Sequence, residues 1–249
     1  MLQDKKIIII VLYIMKYTDA HCHIISQSEC PEILAGRICN STTVADWDKI
    51  SDIHDDKNFN CIGIHPWNIE SVPPDWATKM RKKLAQNQTL MIGEIGLDKY
   101  HPNLPEQEQI FITQLQIASE FNRPIHLHCV GAWDKILHIF KELRTTMPPI
   151  VVAHGFNGDV GIISQIADKY NTYFSYHTPT DAKAIGRIIA TPTTRLLAES
   201  DAHDNDTEVQ IISDTVNILA GILGQEYDCI NEQIFHNFQK VISYVRPID

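Results

Sequence analysis

The sequence predicts a single-domain α/β protein built as a (β/α)8 TIM barrel. Three observations carry that expectation. Short apolar or β-branched runs alternate with helix-like segments about eight times along the chain, the pattern of a parallel sheet with crossover helices. The 249 residues, 44% of them hydrophobic, suffice for one large core, and α/β barrels commonly reach this length as one domain. Histidines and acidic residues recur where the expected strands end, and those ends converge on one mouth only if the sheet closes. An open doubly wound sheet is the alternative, but no Gly-x-Gly-x-x-Gly or P-loop pattern follows the first strand.

In chain order, the expected strands are Lys16–His21, Gly36–Cys39, Phe59–Ile64, Leu90–Ile95, Pro124–His128, Ile150–His154, Thr172–Ser175 and Arg195–Glu199. Helical patterns follow the second to sixth of them: Ala45–Asp56, Pro74–Asn87, Glu106–Asn122, Ala132–Thr146 and Asp159–Tyr170. There is no low-complexity segment, charge block or linker rich in Gly, Pro and Ser, so no domain boundary is expected within 16–249. Residues 1–15 read as an N-terminal extension. Lys5 and Lys6 followed by an apolar run imitate an export leader, but no small-residue cleavage site follows. Met15 is an alternative start.

The formal charge is −10 and the pI about 5.6. An acidic chain has no global field for nucleic acid, so such a partner must be held locally. The basic run Lys79–Lys83 lies on an expected helix with apolar neighbours and reads as a solvated outer face. Six cysteines form no CxxC pair. That pattern is expected of reduced, mostly buried thiols in a cytoplasmic protein. No run reaches the length of a membrane helix, so no membrane partner is expected.

The stretch Asp19-Ala20-His21-Cys22-His23 ends the first apolar run. In an extended strand Asp19, His21 and His23 share one face. Three metal-competent groups there make a poor core and a good start for a metal site. Later strand ends bring Glu94, His128, His154 and Asp201, with His65 just beyond the third strand. Four imidazoles and two carboxylates exceed the needs of one tetrahedral ion and suit a pair of divalent ions about 3.5–4 Å apart. Zinc and manganese accept both ligand types, and magnesium prefers the carboxylates. Cys22 and Cys129 flank ligand histidines, but alternation turns them to the opposite face as core thiols. His126, one layer below His128, reads as a partner orienting a ligand or as a hydrogen-bonded barrel residue, and His177 and Glu199 are similar cases.

The ordered segments "TDAHCH", "GIHPW", "GEIGLD", Pro124-x-x-x-His128, "HGFNG" and "ESDA" resemble the TatD-related metal-dependent hydrolases of the amidohydrolase superfamily. The similarity runs from Lys16 to about Asp201 and resumes at "IFHNFQKVI", which resembles the family's closing helix. The resemblance implies that His21, His23 and Asp201 bind one ion, that Glu94 bridges, and that His128 and His154 bind the second. His65 would lie near substrate. Glu94 and Asp201 would carry the catalysis, with Asp201 accepting the proton of an activated water. The implied activity is hydrolysis of a phosphodiester such as DNA. A carboxylic ester, lactone or amide is the alternative substrate, and a non-catalytic metal-binding barrel a second alternative. Two departures concern the substrate shell. Val130 stands where family members usually carry an arginine, and "ESDAHDNDTEVQ" lacks the family's later "RNEP" segment. Lys99 and His203 are candidate substitutes. DNA or another phosphoester is therefore expected to be held weakly.

Overall fold

The structure, a computed structural model, describes residues 16–25, 29–53, 55–179 and 181–245. The expected N-terminal extension lies outside them. Eight parallel strands follow one another in the order of the chain: β1 (Tyr17–Cys22), β2 (Leu34–Asn40), β3 (Asn58–Ile62), β4 (Met91–Asp98), β5 (Ile125–Val130), β6 (Val151–Ala153), β7 (Thr172–Tyr176) and β8 (Leu196–Ala198). All eight overlap the strands expected from the sequence. The α-helices are α1 (Trp47–Ser51), α2 (Trp76–Gln86), α3 (Leu104–Glu120), α4 (Trp133–Leu143), α5 (Val160–Ile166), α6 (Ala182–Ala190), α7 (Asn205–Leu223) and α8 (Tyr227–Ile242). The first helical pattern, Ala45–Asp56, shortens to a 3-10 turn at Val44–Asp46 and the five-residue α1. Trp47 and Ile50 are its only buried side chains, too few to anchor a longer helix.

The barrel closes beyond its last regular strand. Asp201 N donates to His21 O at 2.9 Å and His23 N to Ala202 O at 2.7 Å. These bonds knit the end of β1 to the loop after β8, so closure is made by segments that carry expected metal ligands. The core has two layers. The larger one lies between strands and helices and includes Cys22, Cys39, Ile62, Ile92, Phe111, Leu115, Phe140 and Phe174. The smaller one fills the barrel's N-terminal end with Ile38, Phe59, Met91, Val152 and Leu197, and α8 covers it through Phe238, Val241 and Ile242. Phe238 meets Phe59 edge-to-face at 5.8 Å. Five of the cysteines are buried and free, as expected; Cys229 is exposed.

Helix ends follow ordinary capping rules. The Asp204 carboxylate accepts from Thr207 N at 2.9 Å to start α7, and Gly224, at φ 61°, ends it. Asp181 caps α6 in the same way through Ala184 N. The run Lys79–Lys83 is the expected solvated face of α2. Its cations pair with Asp75 at 3.0 Å, Glu120 at 2.8 Å and Asp48 at 2.6 Å.

A buried polar network joins β1, β2 and α7. The Arg37 guanidinium, fully buried, reaches Glu208 at 3.0 Å and Asn205 at 2.6 Å. Glu208 lies beside Asp19, which accepts from His21 N and Ser200 N, both at 3.0 Å. Burial, and then Glu208, push the Asp19 carboxyl well above its usual range. Burial raises both carboxyls, and Arg37 opposes the rise at Glu208. Arg37→Leu strands Glu208 without its cation and is expected to cost about 3–5 kcal/mol. Arg37→Leu with Glu208→Leu is expected to recover most of that. Urea unfolding at neutral pH checks both, and a single-variant loss below about 1 kcal/mol would show that the pair is not under this constraint.

Candidate metal centre

Each candidate side chain arrives from a C-terminal strand end. His21 is on β1 and His23 two residues on, in register for one face. Glu94 is on β4 and His128 on β5, while His65, His154 and Asp201 stand in the loops after β3, β6 and β8. Asp201 lies three residues past Ala198 and takes a left-handed backbone, φ 54°, held by the closure bond to His21 O. Two glutamines of α3 steady the neighbouring loops. Gln114 exchanges both hydrogen bonds with the backbone of Ile64, at 2.8 and 3.2 Å, directly before His65. Gln107 accepts from Asp98 N at 2.9 Å at the end of β4.

The centre of the arrangement is the Glu94 carboxylate, 3% exposed. Five imidazoles surround it: His128 Nδ1 at 2.8 Å, His154 Nε2 at 3.0 Å, His23 Nε2 at 3.3 Å, His65 Nε2 at 3.4 Å and His21 Nε2 at 3.5 Å. Asp201 joins from the open side, 3.3 Å from His23 Nε2 and 3.9 Å from His21 Nε2. Three sets bring their ligand atoms within 4.8 Å of one another: His21, His23 and Asp201; His21, Glu94 and His154; His65, Glu94 and His128. All the sequence-selected residues therefore meet in one place. All but the fully buried His21 line an open cavity of about 470 Å³, in the size range of small-molecule sites.

The glycines of "GEIGLD" make this approach possible. A Cβ on Gly93 would meet Asn40 Oδ1 at 2.5 Å and His126 Cβ at 2.7 Å; one on Gly96 would meet His128 O at 1.8 Å. Gly93 thus admits the neighbours beneath Glu94, and Gly96 lets β5 lie close enough to bring His128 in.

The electrostatics call for positive charge. Burial would raise Glu94, but His154, His128 and His21 hold it well below the usual carboxylate range. Burial pulls His23 down, yet Asp201 and Glu94 outweigh it and lift the imidazole to about 10. His154 is raised well above its ordinary value: burial opposes it, but Glu94 and Glu199 prevail. Asp201 is depressed, with burial outweighed by His23, His21 and His154. His21 and His65 go the other way, lowered chiefly by burial. The carboxylates thus draw protons onto His23 and His154, and a divalent ion in their place would leave neutral imidazoles and carboxylates, the donor chemistry of zinc or manganese; His128 Nε2 is buried without a hydrogen-bond partner among the described residues. The residues fit such an ion.

The outer nitrogens distinguish roles among the histidines. His23 Nδ1 lies 2.9 Å from the Asn40 carbonyl, and His154 Nδ1 lies 3.4 Å from Glu199 Oε1. The carbonyl acceptor keeps the proton on His23 Nδ1 and leaves that ring's Nε2 lone pair facing the centre, the usual state of a metal-bound imidazole, whereas His154 Nδ1 makes no hydrogen bond among the described residues. His65 is opposite. Its Nδ1 accepts from Trp67 N at 3.2 Å, so the neutral ring carries its proton on Nε2 and presents a donor to the cavity.

Several residues escaped sequence reasoning. Glu199, set aside there, lies behind His154 and also accepts from Gly155 N at 2.8 Å and from Ser175 Oγ. Asn40 touches both histidines of the first strand, its amide nitrogen 3.1 Å from His21 Nδ1. Asp98 accepts the Trp67 indole N–H at 2.7 Å and lies 4.0 Å from His128 Nε2. Its position closing "GEIGLD" was the available signal. Four weaker suspects separate. His126 is fully buried below His21, and neither ring nitrogen has a hydrogen-bond partner among the described residues, so both expected roles for it are corrected. Burial leaves its imidazole well below the ordinary value, in the neutral form. His177 is exposed. Of the proposed arginine substitutes, His203 stacks on His23, with ring centroids 5.2 Å apart, and lines the cavity; Lys99 is exposed in the turn after β4.

Comparison with known proteins bears on the family and the fold. A "3'-5' ssDNA/RNA exonuclease TatD" of Erwinia billingiae is 26% identical over 211 residues, covering 74% of this chain and 77% of that protein. A "3'-5' RNA nuclease" of Homo sapiens is 24% identical over 221 residues, 75% of this chain and 28% of that longer protein. The crystal structure of a TatD homologue from Escherichia coli superposes with a TM-score of 0.80 at 19% identity, covering 92% of this chain and 98% of that one, which establishes a shared barrel. The family profile described as "TatD related DNase" matches residues 18–243, nearly all that the structure describes, and the chain therefore belongs to the TatD family of metal-dependent hydrolases.

Proposed function

We propose that this protein hydrolyses phosphodiesters of single-stranded nucleic acid with two divalent ions. The single observation that carries the reading is the buried Glu94 carboxylate, ringed by five imidazoles and flanked by Asp201 at the floor of an open cavity. His21, His23 and Asp201 hold one ion, His128 and His154 the other, and Glu94 serves both. Zinc or manganese suits this mixed set better than magnesium. When bound, the ions supply Lewis acidity toward a phosphoryl oxygen and acidify a water. The nucleic-acid substrate comes from the relatives, named as ssDNA/RNA and RNA nucleases.

The chain's own groups supply the remaining chemistry. Asp201, 46% exposed, is the carboxylate most open to the cavity and takes the proton of the attacking water. Glu94 is buried among donors that keep it ionised and serves as a fixed anion. His65 donates from Nε2 to a substrate oxygen. The Asn40 carbonyl sets the tautomer of His23, and the Glu199 carboxylate lies 3.4 Å behind His154 as a buried negative charge.

A second reading is favoured by one feature. No lysine or arginine is among the described residues that line the cavity. Alternation places Val130 on the face of His128, one step nearer the mouth, where a cation would meet phosphate. Without that charge, an uncharged ester or amide would suit the same centre.

Three outcomes are expected. Elemental analysis of the purified protein should find up to two divalent ions per chain, and Glu94→Ala should lose more than one of them; full occupancy in that variant removes the bridge. Asp201→Asn should lower turnover at least a hundredfold at saturating metal, with circular dichroism unchanged, because an amide accepts no proton; near-normal rates would take Asp201 out of the reaction path. Val130→Arg should raise kcat/KM on single-stranded DNA about tenfold or more, since a charge-assisted contact is worth roughly 1.5–3 kcal/mol, and leave an uncharged ester unaffected. No gain on DNA, beside efficient turnover of the ester by the parent, would favour the second reading.

A further inference from the structure

Resting on the nuclease reading above, we infer that Trp67 is the platform on which a base of the bound strand stacks, and that this contact replaces the missing cationic grip on the backbone. Of the four tryptophans, Trp47 and Trp133 are buried and Trp76 is half-buried on α2, whereas Trp67 is 56% exposed and lines the cavity. An indole this open is normally free to move, but this one is fixed at several points. Its N–H is donated to Asp98 Oδ2 at 2.7 Å, and Asp98 is itself tied to Tyr100 N at 2.9 Å. Its backbone N is donated to His65 Nδ1, and Pro66 precedes it at the start of a 3-10 turn. The His65 ring meets it edge-on at 5.1 Å, and the His101 ring lies nearly parallel to it, centroids 5.8 Å apart.

The result is a rigid aromatic surface, open to water, beside the centre that would handle the phosphate. Every base has a π face, so stacking holds a single strand without reading its sequence and without charge. A platform fixed before binding loses little conformational freedom when the base arrives. With no lysine or arginine among the described residues that line the cavity, the strand is held by the ions at its phosphate and by Trp67 at its base. The Trp67–His65 contact also sets the distance between stacked base and proton donor.

The test compares a single-stranded oligonucleotide with one of the same length whose terminal sugars carry no bases. Binding of labelled strands is measured by fluorescence anisotropy in the metal-loaded Asp201→Asn background, and KM in the otherwise unchanged enzyme. The parent should prefer the base-bearing strand by about 5- to 150-fold. Trp67→Ala should abolish that preference, while Trp67→Phe, which keeps a ring and drops the Asp98 hydrogen bond, should retain most of it. Equal weakening of both strands by Trp67→Ala would overturn the inference, because the residue would then act only through Asp98 and His65. Absence of a base preference in the parent would also overturn it. A base preference abolished by Trp67→Ala, in a parent that cuts neither strand, would support the stacking role and count against the nuclease reading alone.

Discussion

Glu94 is the constraint around which the rest of the molecule is arranged. An ionised carboxylate removed from water is costly unless it is paired on every side. Here the compensation comes from imidazoles on β1 and β5 and from the loops after β3 and β6. No local segment could assemble such a set, because the contributing residues span more than a hundred positions of the chain. Only a closed parallel sheet, with every strand pointing the same way, brings so many C-terminal ends to a single carboxylate. The close approaches at Gly93 and Gly96 are the local cost of fitting that carboxylate among its neighbours.

The same elements serve stability and chemistry. The barrel is closed by backbone bonds at His21, His23, Asp201 and Ala202, not by a long β8, which spans only Leu196–Ala198. Beneath them the buried cluster of Asp19, Glu208 and Arg37 ties β1 to β2 and α7. Asp19 holds the His21 and Ser200 backbone amides with one oxygen. A change in this buried network therefore reaches the first strand's histidines through the backbone, without touching the cavity.

The strands and the convergence of the candidate ligands were legible because they obey short-range rules. A β-branched run that ends in a histidine or acid is visible in a few residues, and its repetition specifies a barrel. The rest depended on contacts that no local pattern encodes. Asp201 needed a left-handed turn and a bond to a residue 180 positions earlier. Glu199 looked like a strand-end polar residue until His154 was placed against it. Helical patterns were assigned from the sequence only after the second to sixth strands, so α6, which buries only Ile188, and α7, which buries Ile212, Val216 and Leu219, were not read. His126 shows the opposite failure. Its spacing suggested a partner for a ligand, and alternation did place it inside the barrel, but the surrounding layer offers its nitrogens no acceptor or donor.

Selection of substrate follows from where charge is absent. The chain carries a formal charge of −10, and its surface cations on α2 are already engaged with acids. Long-range attraction of a polyanion is therefore weak, and an approaching strand meets favourable potential only at the metal centre itself. Contacts beyond that centre must come from neutral groups: the His65 donor, the Asn68 and Thr42 side chains at the cavity wall, and the Trp67 ring. Neutral contacts read shape and π surface more than charge. A duplex hides its base faces in the stack, whereas a single strand exposes them. Under the proposed function, the uncharged Val130 and the absence of an arginine in the segment after Asp201 would favour unpaired ends over a duplex.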